Sequence, residues 1–184
     1  MGYTVFLDRD GVINRDSSAY VKTASEFVFI EKSPEAVALL TRNGLDVIVI
    51  TNQSVIGRGM TTPSELDRIF AKMNHGISAA GGRIRDIFYC PHTPDDGCTC
   101  RKPLPGLILK ARDTFDIDLE QSCMVGDSAK DIECAKNAGC GKSILVQTGN
   151  GEQALKALEK KSIHPDGIAC DLYEAACRII KNLP

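Results

Sequence analysis

Three carboxylates, Asp8, Asp10 and Asp127, each stand just beyond a short apolar run. Val5-Phe6-Leu7 leads into Asp8-Arg9-Asp10-Gly11, and Cys123-Met124-Val125 leads into Gly126-Asp127. Two acids two residues apart can divide a substitution at phosphorus. Asp8 can attack as a carboxylate nucleophile. Asp10 can give a proton to the leaving oxygen and then take one from the water that clears the intermediate. Gly11 lets the chain turn tightly behind them. The bland alternative for this segment is a solvated acidic turn.

Other residue types at similar places suit the same chemistry. Thr51-Asn52 follows Val47-Ile48-Val49-Ile50 and can hydrogen-bond phosphate oxygens, although Thr-Asn there also makes an ordinary turn. Arg101-Lys102 puts positive charge just before a helical pattern. Lys102 can sit between Asp8 and a phosphate and neutralise both; a solvated basic pair is the alternative. Asp131, four residues after Asp127, can orient Lys102 or a metal-bound water, or simply favour a helix N-terminus.

The elements that must position these groups follow from hydrophobic patterning. The apolar runs ending at Asp8, Thr51, Cys90, Gly126 and Gln147 are continuous rather than alternating, as in strands buried on both faces of a parallel sheet. Gly167-Ile168-Ala169 is a weak sixth strand. Between them lie amphipathic segments: Pro34 to Asn43, stopped by Gly44; a capping box at Thr62-Pro63-Ser64-Glu65 opening a helix to about Ala80; Pro105 to Phe115; Ala129 to Ala138, ended by Gly139; Glu152 to Lys161; and a C-terminal helix capped by Asp171 with Glu174. Alternation predicts an α/β, doubly wound parallel sheet with right-handed crossovers. Ligands of such sheets bind beyond the carboxyl ends of the strands, where the acids are placed. Gathered unpaired, the acids would repel one another. A divalent cation is the simplest remedy, and Mg²⁺ favours one or two carboxylates, waters and a phosphate oxygen.

The 184 residues suit one domain, 1–184. A net charge of −2 without a basic block argues against a nucleic-acid partner. No apolar run reaches the ~18 residues of a membrane span, and the N-terminus lacks a basic, cleavable leader. The expectation is a cytoplasmic monomer acting on a small molecule. Of eight cysteines, Cys90, Cys98 and Cys100 cluster around His92. Three thiolates and an imidazole make a closed tetrahedral Zn²⁺ shell, hence a structural site in a loop spanning 90–100. Free thiols and a surface histidine are the alternative. Cys123, Cys134, Cys140, Cys170 and Cys177 read as buried apolar side chains.

In this order and at these strand ends, Asp8-x-Asp10-Gly11, Thr51, Lys102 and Gly126-Asp127 with Asp131 resemble the four motifs of the haloacid dehalogenase superfamily. The resemblance implies an aspartyl-phosphate on Asp8. It also implies Mg²⁺ held by the Asp8 carboxylate, the Asp10 carbonyl and Asp127. An Asp at position 10 marks the phosphatases of that superfamily. The wider segments Phe6 to Asn14, Thr51 to Ser54, Cys90-Pro91-His92 and Cys100 to Gly106 look like the family of D-glycero-D-manno-heptose-1,7-bisphosphate 7-phosphatases, and histidinol-phosphate phosphatases are similar. The spacing of the motifs leaves no room for a separate cap domain. Loops would therefore grip the substrate, through Asn14, Tyr20, Asn52, Gln53, Ser54 and Arg101, with Arg58 a second candidate for a distal phosphate. Against the heptose ester stand histidinol phosphate or another small monoester and, from another class, a catalytically silent zinc-stabilised binding module.

Overall fold

The computed structural model describes residues 2–183. Six strands, β1 (Thr4–Leu7), β2 (Asp46–Asn52), β3 (Asp86–Cys90), β4 (Ser122–Gly126), β5 (Lys142–Val146) and β6 (Gly167–Ala169), form one sheet in the order β3-β2-β1-β4-β5-β6. Every pairing is parallel. The chain winds outward from β1 in one direction, then restarts at β4 on its other side. β1 and β4 therefore flank the topological switch point, where the following loops part and leave a crevice.

Helices α1 (Ser33–Arg42), α2 (Pro63–Ala79), α3 (Gly106–Phe115), α4 (Ala129–Ala138), α5 (Gly151–Lys160) and α6 (Leu172–Lys181) cover both faces. Strand residues alternate between the layers. Val5, Leu7, Val47, Val49 and Val125 pack with α1, α2 and α6. Phe6, Ile48, Ile50 and Met124 pack with α3 and α4 on the opposite face. A smaller cluster of Ile132, Leu145, Ala154 and Leu158 seats α5. Because both faces are covered, both sets must be apolar, which is why these strands lack the one-sided alternation of a half-exposed sheet.

Local signals explain the helix ends. Thr62 accepts from the Glu65 N–H, and Asp171 accepts from the Glu174 N–H at 2.8 Å. Gly139 closes α4 at φ +84°, a conformation that costs glycine little. Pro105 is the residue before α3 rather than its first. Thr51 and Asn52 lie inside β2, and Cys90 inside β3, because β3 keeps pairing with β2 through Thr51↔Tyr89 and Asn52↔Cys90. All described helices and strands belong to this layered unit and its loops, and among them none forms a separate cap.

The expectation of five buried lone cysteines needs correction. Cys123 and Cys134 are buried and Cys140 partly so, but Cys170 and Cys177 are exposed. Cys170 sits in the turn before α6. Cys177 falls on the outer side of that helix, whose inward positions are Leu172, Ala175, Ala176 and Ile179.

Candidate active site at the sheet switch point

Asp8 is the first residue after β1, and its N–H donates to the Val125 carbonyl on β4. Asp127 is the first residue after β4. The parallel register Leu7↔Val125 therefore puts both acids at one rim. Carboxylate oxygens of Asp8, Asp127 and Asp131 lie within 4.8 Å of one another. Asp131 is fully buried in the first turn of α4, and its Oδ2 accepts from the Ser128 N–H at 3.0 Å and the Ser128 hydroxyl at 2.6 Å. Its other oxygen is 2.5 Å from Lys102 Nζ.

Lys102 reaches the same rim from the loop before α3. Its ammonium lies 3.0 Å from Asp8 Oδ1 and donates to the Ile50 carbonyl at 2.9 Å. Burial would lower its pKa, but Asp131 and Asp8 outweigh burial and hold it raised, so the lysine stays charged. Asn52 fixes that loop by a reciprocal pair: its Nδ2 donates to the Lys102 carbonyl at 3.2 Å, and its Oδ1 accepts the Lys102 N–H at 3.1 Å.

Asp10 points elsewhere. Arg9 Nη2 donates to Oδ1 at 2.7 Å and to Oδ2 at 2.8 Å, Asn14 Nδ2 donates to Oδ1 at 2.8 Å, and Gln53 Nε2 donates to Oδ2 at 2.9 Å. Burial alone would push this carboxyl up. The Arg9 guanidinium and the hydrogen bonds from Arg9, Asn14 and Gln53 outweigh it and hold the pKa below the ordinary value. Arg9 itself is only 1% exposed and lies over the Phe70 ring. The same Gln53 amide donates to Thr51 Oγ1 at 2.9 Å.

Burial raises Asp8 to about 8, with Lys102 opposing and Asp131, Asp127 and Asp10 adding to the rise. Burial and Asp131 raise Asp127 to about 7, against hydrogen bonds from Asn150. Four carboxylates, Asp8, Asp10, Asp127 and Asp131, face two fixed cations, Arg9 and Lys102. Asp131 is engaged by Lys102 and Ser128, and Asp10 by Arg9. Asp8 meets Lys102 and the Arg9 N–H through Oδ1 only, and Asp127 meets Asn150 through Oδ2 only, so each keeps an oxygen for a hard divalent cation that would displace their protons. The donor set fits Mg²⁺.

The cysteine cluster assembles as its spacing requires. Cys90 Sγ lies 3.2 Å from Cys100 Sγ, 3.6 Å from Cys98 Sγ and 3.5 Å from His92 Nδ1, and His92 Nδ1 lies 3.3 Å from Cys100 Sγ. Sulfurs of a tetrahedral zinc shell with ~2.3 Å bonds stand roughly 3.7 Å apart, so the four donors fit Zn²⁺. Burial and the Cys100 thiol push Cys90 up to about 12. Cys98 comes down to about 7, where burial is outweighed by the Arg101 backbone N–H and the neighbouring thiols. A cation is needed to ionise all three. A 3-10 turn, Pro94–Asp96, bridges the two halves of the loop.

Other expected contacts are redistributed. Asn14 Nδ2 and Gln53 Nε2 donate to Asp10, and Asn52 braces the lysine loop, while Asn52 and Gln53 also line the small pocket beside Asp10. Arg101 Nη1 donates to the His92 carbonyl at 3.1 Å and so ties the cysteine loop to the Lys102 segment. Tyr20 and Ser54 line a small pocket with Asp10, Asp16 and Asn52. Arg58 lies 6.0 Å from the centre of the Tyr20 ring. Sequence reasoning gave no role to Arg9, nor to Thr148, Gly149 and Asn150 after β5. Thr148 Oγ1 donates to the Gly11 carbonyl at 2.6 Å, and the Asn150 N–H donates to Asp127 Oδ2 at 2.8 Å. A basic residue between two acids was the signal for Arg9; the Gln-Thr-Gly loop beyond β5 was a fainter one.

A parallel sheet with acids from β1 and β4 facing a buried lysine defines a hydrolase of the haloacid dehalogenase class, and a family model described as "HAD-hyrolase-like" matches residues 99–175. The D-glycero-beta-D-manno-heptose-1,7-bisphosphate 7-phosphatase of Bordetella bronchiseptica is 45% identical over 151 residues, covering 82% of this chain and 84% of that protein. The Pseudomonas aeruginosa enzyme of the same name is 42% identical over 166 residues, covering 90% and 93%. The crystal structure of D,D-heptose 1.7-bisphosphate phosphatase from B. bronchiseptica, complexed with magnesium and phosphate, superposes with a TM-score of 0.91 at 40% identity, covering 97% of this chain and 98% of that one. The chain belongs to the family of these heptose-bisphosphate phosphatases.

Proposed function

We propose that this protein is a Mg²⁺-dependent phosphatase that removes the 7-phosphate of D-glycero-D-manno-heptose 1,7-bisphosphate. The single observation that carries the reading is the Asp8 carboxylate at the switch point, 3.0 Å from the Lys102 ammonium and close enough to Asp127 to share an ion. The relatives' names and the magnesium and phosphate of the similar crystal structure support it.

Asp8 is the nucleophile. One oxygen attacks phosphorus in line with the departing sugar oxygen, forming an aspartyl-phosphate that water then hydrolyses. Charge in the transition state spreads over the equatorial phosphate oxygens, so catalysis is mostly positioning and neutralisation. Lys102 supplies fixed positive charge at that point. Thr51 Oγ1 accepts from Gln53 and keeps its own hydrogen free to donate to a phosphate oxygen. Mg²⁺, held by the Asp8 carboxylate, the Asp10 carbonyl and Asp127, would supply the positive charge that lets both carboxylates ionise and accept a phosphate beside them.

Asp10 is the acid and base. Held ionised by Arg9, it is ready to take a proton from the hydrolytic water. To act first as an acid it must gain a proton, and the entering phosphate dianion raises its pKa in that direction. Asp131 sets the lysine in place. Tyr20 and Ser54 border the leaving sugar, and Arg58 or Arg101 takes the distal phosphate. Zn²⁺ on Cys90, His92, Cys98 and Cys100 fixes the loop that carries Lys102. One domain, acting as a monomer in the cytoplasm, completes the reading; a reducing compartment keeps such thiols available to zinc.

The test is phosphate release with Mg²⁺ from both anomers of heptose 1,7-bisphosphate, histidinol phosphate and simple sugar monophosphates. The bisphosphate should give the highest kcat/KM. Preference for histidinol phosphate would overturn the substrate, and no release from any ester would favour a silent binding module.

A further inference from the structure

Resting on the magnesium-dependent reading above, we propose that Asn150 is a positioning residue. It selects the Asp127 oxygen that ligates the cation, and Asp16 holds it in that orientation from the substrate-side loop. Asp127 Oδ2 accepts twice from Asn150, from the backbone N–H at 2.8 Å and from Nδ2 at 3.2 Å. The same Nδ2 donates to Asp16 Oδ2 at 2.9 Å. An amide nitrogen has two hydrogens. With one directed at each carboxylate, the side chain has a single orientation. Oδ2 is thereby committed, and Oδ1 is left to the ion.

The backbone reinforces the choice. Gly11 and Gly149 both have positive φ, and a Cβ at either would collide with Asp127 Oδ2. That oxygen is seated in a slot between two glycine backbones, and the Thr148 hydroxyl pins the slot by its bond to the Gly11 carbonyl. The carboxylate therefore cannot rotate to exchange its oxygens without opening the loop after β5.

Asp127 is buried, whereas Asn150 and Asp16 are exposed. The amide thus reaches from the surface to a buried ligand. Asp16 lines the small pocket beside Asp10, and with Thr148, Gly149 and Asn150 it also borders a groove of about 430 Å³. The bridge ties the Asp16 loop, which lines both cavities, to the metal ligand. Hydrogen-bond partners that orient metal ligands typically matter by about 10–100-fold in metal affinity or activity. Because the backbone N–H of residue 150 remains in an alanine variant, the lower end applies here.

The experiment is Mg²⁺ titration of the zinc-loaded full chain by calorimetry, with phosphate release measured against Mg²⁺ concentration, for Asn150→Ala, Asp16→Ala and the double variant. Asn150→Ala should weaken Mg²⁺ about tenfold, with turnover recovering at saturating Mg²⁺. Asp16→Ala should shift affinity the same way by less, and the double variant should be no weaker than Asn150→Ala. Circular dichroism and zinc content should match the parent. An active parent with unchanged Mg²⁺ affinity in Asn150→Ala would overturn the positioning role alone. If Asn150→Ala fails to fold, unchanged affinity in Asp16→Ala does the same. A parent that binds no Mg²⁺ and releases no phosphate would overturn both this role and the phosphatase reading.

Discussion

Magnesium should stabilise this protein far more at pH 8 than at pH 6. Without the ion, the fold holds Asp8 near 8 and Asp127 near 7, against 3.8 for an unperturbed Asp. Between pH 6 and 8 the unfolded chain has both groups ionised, while the folded chain still carries their protons and must shed them. The folded state binds more protons, so its stability falls as pH rises through that window. Each proton so held is worth about 1.36 kcal/mol per pH unit. Asp127 titrates near the middle of the window and Asp8 near its top, which together gives about 3–4 kcal/mol lost. With saturating Mg²⁺ both carboxylates are ionised throughout and the loss disappears. For a chain of this length 3–4 kcal/mol corresponds to a melting shift on the order of 10 °C. The assay is the difference in melting temperature with and without Mg²⁺ at pH 6, 7 and 8, in zinc-replete buffer. Taking the difference cancels the titration of histidines and cysteines away from the site. The Asp127→Asn variant should show a flatter rise. A magnesium stabilisation that stays constant across this range would refute the reasoning, because it would mean that both acids are already ionised in the metal-free fold.

Three further outcomes test separate parts of the site. Asp8→Asn should abolish phosphate release while leaving the circular dichroism spectrum intact; normal turnover would mean another nucleophile. Cys98→Ser should lower both zinc content, by elemental analysis, and the melting temperature, and unchanged zinc would remove the tetrahedral cluster. Arg9→Ala leaves the Asp10 carboxylate buried without its cation, a change that typically costs about 3–5 kcal/mol. Urea denaturation should register that loss, and the acid limb of the pH–rate profile should move to higher pH as Asp10 loses its stabilising charge. No change in either would show that Arg9 is a bystander.

The sequence by itself determined the architecture and the placing of the acids. Continuous apolar runs ending in Asp8 and Asp127, with amphipathic segments between them, leave little choice but a parallel sheet covered on both faces, and acids directly after such runs must meet at its carboxyl rim. Even the three-residue strand Gly167–Ala169 and the caps at Thr62 and Asp171 were legible, because propensity and hydrogen bonding act over a few neighbouring residues. What pairs with what was decided by the tertiary structure. Asn14, Asn52 and Gln53 carry amides suited equally to a sugar hydroxyl or to a neighbouring side chain, and only packing shows that their nitrogens donate to Asp10 and to the Lys102 loop. Arg9 has no role in the sequence reading, yet the fold buries it against the Phe70 ring and sets it on Asp10. Asn150 lies 23 residues from Asp127 and 134 from Asp16, and it meets both only because β5 ends beside β4 at the same rim. Residue type and spacing fix what chemistry a chain can offer. Which donor satisfies which buried acceptor depends on contacts between distant segments, and those exist only once the sheet has brought its strand ends together.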